Sequence, residues 1–184
     1  MAPTGASWRR GDPMIILADA PTAPASTRGN VYLPFIARAP DPVADFCRLL
    51  VGDSRQQRPH LELCPALQKA AVWRAWGLAC GGDPWDHIGE DGTTPNELAR
   101  RAGCVLPADY APRGNNIESL VAGTFDPVVA FTALANSPKH SDHLFGRGWF
   151  QRQDALGIAL CEGPGAYRWY WCVMIATCGQ VSGE

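Results

Sequence analysis

Apolar residues recur at helical spacing in several successive stretches and then give way to strand-like runs near the C-terminus. "PVADFCRLL" carries Val43, Phe46, Leu49 and Leu50 on one helical face, so a first helix is expected from Pro42. From Leu63 onward, Leu67, Ala70, Ala71, Ala75 and Leu78 follow a 3.6-residue period. Pro65 sits in the first turn of that helix and Gly81-Gly82 ends it. The alanines on this face let a neighbouring element approach closely. A third helix is announced by Thr94 as N-cap, Pro95 at the first position and Glu97 completing a capping box; it ends at Gly103. "DPVVAFTALANS" supplies a fourth, with Asp126 as N-cap and a face of Val128, Phe131, Leu134 and Ala135. Ser137-Pro138 restarts a short helix.

Beyond Gly148, "DALGIALCEG" and "YRWYWCVMIATC" have the aromatic and β-branched content of strands, with Gly163-Pro164-Gly165 turning between them. In the second run Tyr170, Cys172, Met174 and Ala176 share one face, and Trp169, Trp171, Val173 and Ile175 the other. Both faces are apolar, which predicts a strand covered on both sides. An α+β fold follows, an α-β-α sandwich with a small antiparallel sheet between helices. Residues 1–41 read instead as an extended arm or linker rich in Pro, Ala, Thr and Gly, with "VYLPFIARAP" apolar enough to lie along the domain; residues 42–184 form the domain.

Composition narrows the function classes. With 184 residues the chain fits one domain. A formal net charge of −2 and scattered arginines give no electrostatic footprint for nucleic acid. No apolar run approaches the roughly 20 residues that span a bilayer, so no transmembrane segment is expected. Cys47, Cys64, Cys80, Cys104, Cys161, Cys172 and Cys178 are dispersed, without C-x-x-C spacing. They point to disulfide staples in an oxidising compartment, hence a secreted protein whose signal peptide is absent ahead of Met1. An odd count leaves at least one thiol free or paired between chains. A simple hairpin register would set Cys161 opposite Arg168 and send Cys172 and Cys178 to other elements.

Four segments, in order, resemble the CAP superfamily (cysteine-rich secretory, antigen-5 and pathogenesis-related-1 proteins) in its shorter bacterial form. "LQKAAVWRAWGLA" resembles that family's L-x-x-A-A-x-x-H-A-x-x-M-A helix, with Arg74 at the frequent histidine. "HIGEDGTTPNELARRAGC" resembles the loop and helix carrying the first site histidine, which falls on His87. "GNNIESL" resembles the G-E-N-I segment, with Asn115 where the family has glutamate. "ALANSPKHSDHLFG" resembles the segment carrying the second site histidine, which falls on His140. The resemblance spans residues 43–177 and implies a cleft lined by His87 and His140, flanked by Asn115, Asn116 and Glu118.

Two imidazoles facing one cavity suit Zn²⁺ or another divalent cation, with His87 and His140 as ligands, although Asn115 removes the usual carboxylate. Glu118, one helical turn on, could replace it or point to solvent. CAP proteins as a class are associated with binding more than with a shared reaction, which weighs against an enzyme. The leading expectation is therefore binding of an extracellular small molecule or lipid, an envelope component or a protein partner. The alternatives are a metal-dependent hydrolase in the same cleft and an assembly module docking through residues 1–41. No nucleophile elbow, phosphate loop or H-E-x-x-H helix is present. A cysteine–histidine hydrolase rests only on the unpaired thiol. Plainer readings exist for each residue. His87 can bond backbone at the helix entry, Asn115 and Asn116 can be turn formers, and His143 can be a surface or partly packed side chain. His60 has no evident partner, and Trp73, Trp76, Trp149, Trp169 and Trp171 read as core or interface.

Overall fold

The computed structural model describes residues 41–179 together with the paired backbone of Ile15–Ile16. Five helices and five strands follow in chain order. They are β1 (Ile15–Ile16), α1 (Pro42–Gly52), β2 (Glu62–Leu63), α2 (Pro65–Ala79), α3 (Pro95–Ala102), β3 (Glu118–Ala122), α4 (Pro127–Asn136), α5 (Pro138–Phe145), β4 (Ala155–Glu162) and β5 (Trp169–Ala176). A short 3₁₀ helix, Gly148–Arg152, leads into β4. Every α-helix has proline in its first turn, where the missing N–H costs nothing. Asp41, Thr94 and Asp126 cap α1, α3 and α4 with side-chain oxygens, and Thr94 and Glu97 close the expected capping box.

The strand order is β1-β3-β5-β4-β2. β5 lies in the middle, antiparallel to both β3 and β4, while the two-residue strands β1 and β2 pair parallel to β3 and β4. The sheet is thus mixed, not purely antiparallel, because each short flanking strand enters from a separate connection and not from a hairpin. Its two faces carry the alternation read from β5. Tyr170, Cys172, Met174 and Ala176 pack under α2 and α3, with Leu67, Ala70, Ala71, Ala75 and Leu78 above them. Trp171, Val173 and Ile175 face α1, α4 and α5 through Phe46, Leu50, Phe131, Leu134, Leu144 and Phe145. Helices therefore cover both faces of one small sheet.

α2 sits very close to β4. A β-carbon at Gly157 would overlap the backbone of Leu67 and Gln68. The Gln68 amide extends the contact: it donates to the Ile158 carbonyl at 2.8 Å and accepts from the Ile158 N–H at 3.1 Å. Gly157→Ala should accordingly cost about 1–3 kcal/mol, the usual penalty of overpacking. The urea midpoint measures it, and an unchanged midpoint would show that α2 can slide away freely.

Several expectations shift. Val128 is exposed, and Ala130 takes its place on the buried face of α4, since Asp126 fixes the helix start and thereby its rotation. Cys161 lies opposite Tyr170, not Arg168, because the turn spans Gly163 to Arg168, closed by Gly163 N–H donating to the Arg168 carbonyl. β3 comes from a segment with no strand-like alternation. On the arm, Ile15–Ile16 joins the domain's sheet, while "VYLPFIARAP" lies outside the described residues. Among the described residues no helix is long and apolar enough to cross a membrane.

Candidate functional site

His87 lies midway along the loop between α2 and α3, and Glu118 opens β3 against β5. Their side chains meet: His87 Nδ1 lies 2.8 Å from Glu118 Oε1, with both residues buried. Opposite an ionised carboxylate, which can only accept, it is Nδ1 that donates. The carboxylate points inward, not to solvent, because Asn115 shapes the turn before it. Asn115 Oδ1 accepts from the N–H groups of Ile117 and Glu118, and its Nδ2 donates to the Glu118 carbonyl. Asn115 is a turn-forming residue that aims Glu118. Asn116 is held by Asn96, which accepts its N–H and donates to its Oδ1 at 2.7 Å.

Arg74, from α2, completes this group. Its Nε is 3.4 Å from Glu118 Oε2, its Nη1 donates to Asp83 Oδ2 at 2.6 Å, and its Nη2 donates to the Asp86 carbonyl. A buried arginine is tolerable only with such partners. Cys172 Sγ approaches the same carboxylate at 3.7 Å, and its thiol is pushed well above the ordinary range, by burial first and by Glu118 second.

His140 and His143 lie on α5, both fully buried. His140 Nδ1 is 2.8 Å from Ser137 Oγ. His143 Nδ1 is 2.7 Å from Ser119 Oγ and its Nε2 is 3.3 Å from the Ile175 carbonyl. The surface position considered for His143 is thus replaced by a place in the core between α5 and the sheet. Burial, reinforced by the Arg58 guanidinium, lowers its pKa to about 3. Arg58 exerts that influence from the end of α5, donating to the carbonyls of His143 at 2.6 Å and Leu144 at 2.8 Å. His60 is exposed.

Above the His87 group lies an open cavity of about 460 Å³. Its floor is Arg74, Asp83 and His87, one wall is Thr93, Thr94, Leu98 and Arg101, and its rim is Val72, Trp73 and Trp76. Trp73 and Trp76 are 41% and 58% exposed, so these two tryptophans are not core residues. Trp171 is core, as expected. His140 does not line this cavity, and Glu118 is contacted by both His87 and Arg74. Sequence reasoning missed Asp83 and the cleft role of Trp73 and Trp76. The one available signal was Arg74, a charged residue at i+3 and i+4 from the buried alanines Ala71 and Ala70.

Glu118 is already balanced by the Arg74 guanidinium, and the Nδ1 atoms of His87 and His140 are engaged by Glu118 and Ser137 respectively. Among the described residues no group of three or more His, Cys, Asp or Glu is placed to hold a metal. The polar floor suits hydrogen bonding to a ligand, and the tryptophan rim suits an apolar body.

No family model and no curated protein matches the chain. Among solved structures it is similar to an outer surface protein from Borrelia burgdorferi, at 19% identity and a TM-score of 0.56. That match covers 74% of this chain and 91% of that one. At such identity the likeness concerns the fold.

Proposed function

We propose that the chain is an extracytoplasmic, CAP-like binding domain whose cleft takes a small amphiphile with a polar head and an apolar body. The observation that carries this reading is the cavity itself. Buried Arg74 and His87, with half-buried Asp83, line the same cavity as exposed Val72, Trp73 and Trp76. Polar groups at the base orient a ligand, and apolar walls supply most of the affinity. Exposed tryptophans are costly to keep on a surface unless something covers them. An extracytoplasmic location agrees with the Cys104–Cys178 disulfide and with a surface protein as structural neighbour. The neighbouring carboxylates hold His87 and Arg74 in fixed orientations, which suits recognition of a polar head.

The test is a tryptophan-fluorescence titration with a single-chain lysophospholipid held below its micellar concentration. Saturable quenching is expected in the parent protein. Trp76→Ala should weaken the apparent affinity about tenfold, the scale of one lost aromatic contact, while leaving the urea midpoint in place because the side chain is exposed. Linear, unsaturable quenching, or equal affinity in Trp76→Ala, would overturn the reading.

A further inference from the structure

Three cysteines converge where the end of β5 meets the start of α2 and the end of α3. Cys104 and Cys178 form a disulfide with Cα atoms 5.3 Å apart. Cys64, the N-cap residue of α2, places its Sγ 3.4 Å from the Cys178 Sγ. That distance is van der Waals contact between sulfurs, close enough for one to attack the other with little main-chain movement. The surrounding backbone holds all three in place. Cys64 N–H donates to the Leu156 carbonyl on β4, and Val105 and Gly179 exchange hydrogen bonds that tie the chain after Cys104 to the chain after Cys178.

We propose that Cys64, Cys104 and Cys178 form one thiol–disulfide exchange centre, in which Cys178 pairs alternately with Cys104 and Cys64. The Cys64 thiol loses its proton to solvent, and the thiolate attacks the Cys178 Sγ. The Cys104–Cys178 bond breaks, the Cys64–Cys178 bond forms, and Cys104 leaves as a thiolate that takes up a proton. No external oxidant or reductant is consumed. Cys64, though buried, and Cys178 together line two surface cavities, one beside His60, Glu62 and Asp154 and one beside Lys69, whereas Cys104 lines neither. The exchange moves the staple of the C-terminal end from the α3 end to the α2 start.

The experiment is non-reducing peptide mapping of the full chain after incubation at mildly alkaline pH, acid quenching and alkylation of free thiols. Trypsin leaves Cys172 and Cys178 on one peptide, so fragmentation spectra assign the cross-link within it. Both Cys104–Cys178 and Cys64–Cys178 are expected in the parent, with alkylation divided between Cys64 and Cys104. In Cys104→Ser, Cys178 should remain protected and linked to Cys64. A parent map holding only Cys104–Cys178, with Cys64 fully alkylated at every time, overturns the proposal. So does a Cys104→Ser protein in which Cys64 and Cys178 are both alkylated. The parent map needs no variant, so poor folding of Cys104→Ser leaves the proposal open to refutation.

Discussion

Glu118→Leu is expected to destabilise the protein by about 3–5 kcal/mol, the loss that follows when one member of a buried ion group is removed. Glu118 is fully buried and receives His87 Nδ1 and the flank of Arg74. Without it, Arg74 keeps Asp83 and the Asp86 carbonyl, but its Nε side faces an apolar surface, and the His87 ring loses its orienting acceptor. Glu118→Gln should fall between, since an amide of the same shape accepts one hydrogen bond but balances no charge. Replacing both partners, as in Arg74→Met with Glu118→Leu, should recover most of the loss, because a well-packed apolar pair removes the uncompensated charge as well. Urea unfolding with a constant slope provides the measurement. A Glu118→Leu midpoint equal to the parent's would mean that the network contributes nothing to folding.

Acid should destabilise the fold through His143. Its folded pKa is about 3, depressed mainly by burial, next by the Arg58 guanidinium and to a smaller degree by electrostatic coupling to His140 and His87, against a partial opposing effect of the Ile175 carbonyl. The unfolded value is about 6.5. Between these two values the unfolded chain binds the proton and the folded one does not. Stability is therefore complete above roughly pH 6.5, falls as pH drops toward about 3, and levels off below that. The slope attributable to this one group is at most about 1.4 kcal/mol per pH unit, a few kcal/mol across the window. His143→Gln, which retains one amide-borne partner but cannot titrate, should lower stability at pH 7 and flatten the dependence between pH 4 and 6. A slope as steep as the parent's in that variant would assign the effect to other groups.

Much of the scaffold was legible because its signals are local. Thr94, Pro95, Glu97 and Gly103 bound α3 within the segment itself, and Asp126-Pro127 and Ser137-Pro138 do the same for α4 and α5. The alternation in β5 named both core layers because that strand is covered on each side. β3 escaped because two of its five residues, Glu118 and Ser119, are polar and buried. Their partners, His87 and His143, lie 31 and 24 residues away. β1 and β2, two residues each, are too short to carry a period. The same reasoning divides the candidate site. His87 and Glu118 were named as candidates, but their contact depends on the turn that Asn115 builds. The tryptophan rim was unreadable because α2 is apolar nearly all round: its alanines identify the face that packs, while nothing local tells whether Trp73 and Trp76 on the other side are covered.

The pairing of Ile15–Ile16 with Val121 and Ala122 also bears on self-association. β3 has β5 on one side, and among the described residues only those two occupy its main-chain donors and acceptors on the other. A chain trimmed to begin at Pro42 would present that margin of the sheet bare, with Val121 and Ala122 ready to accept a strand from any neighbour. The short N-terminal strand thus acts as a guard against polymerisation, and its removal should show as concentration-dependent growth in light scattering.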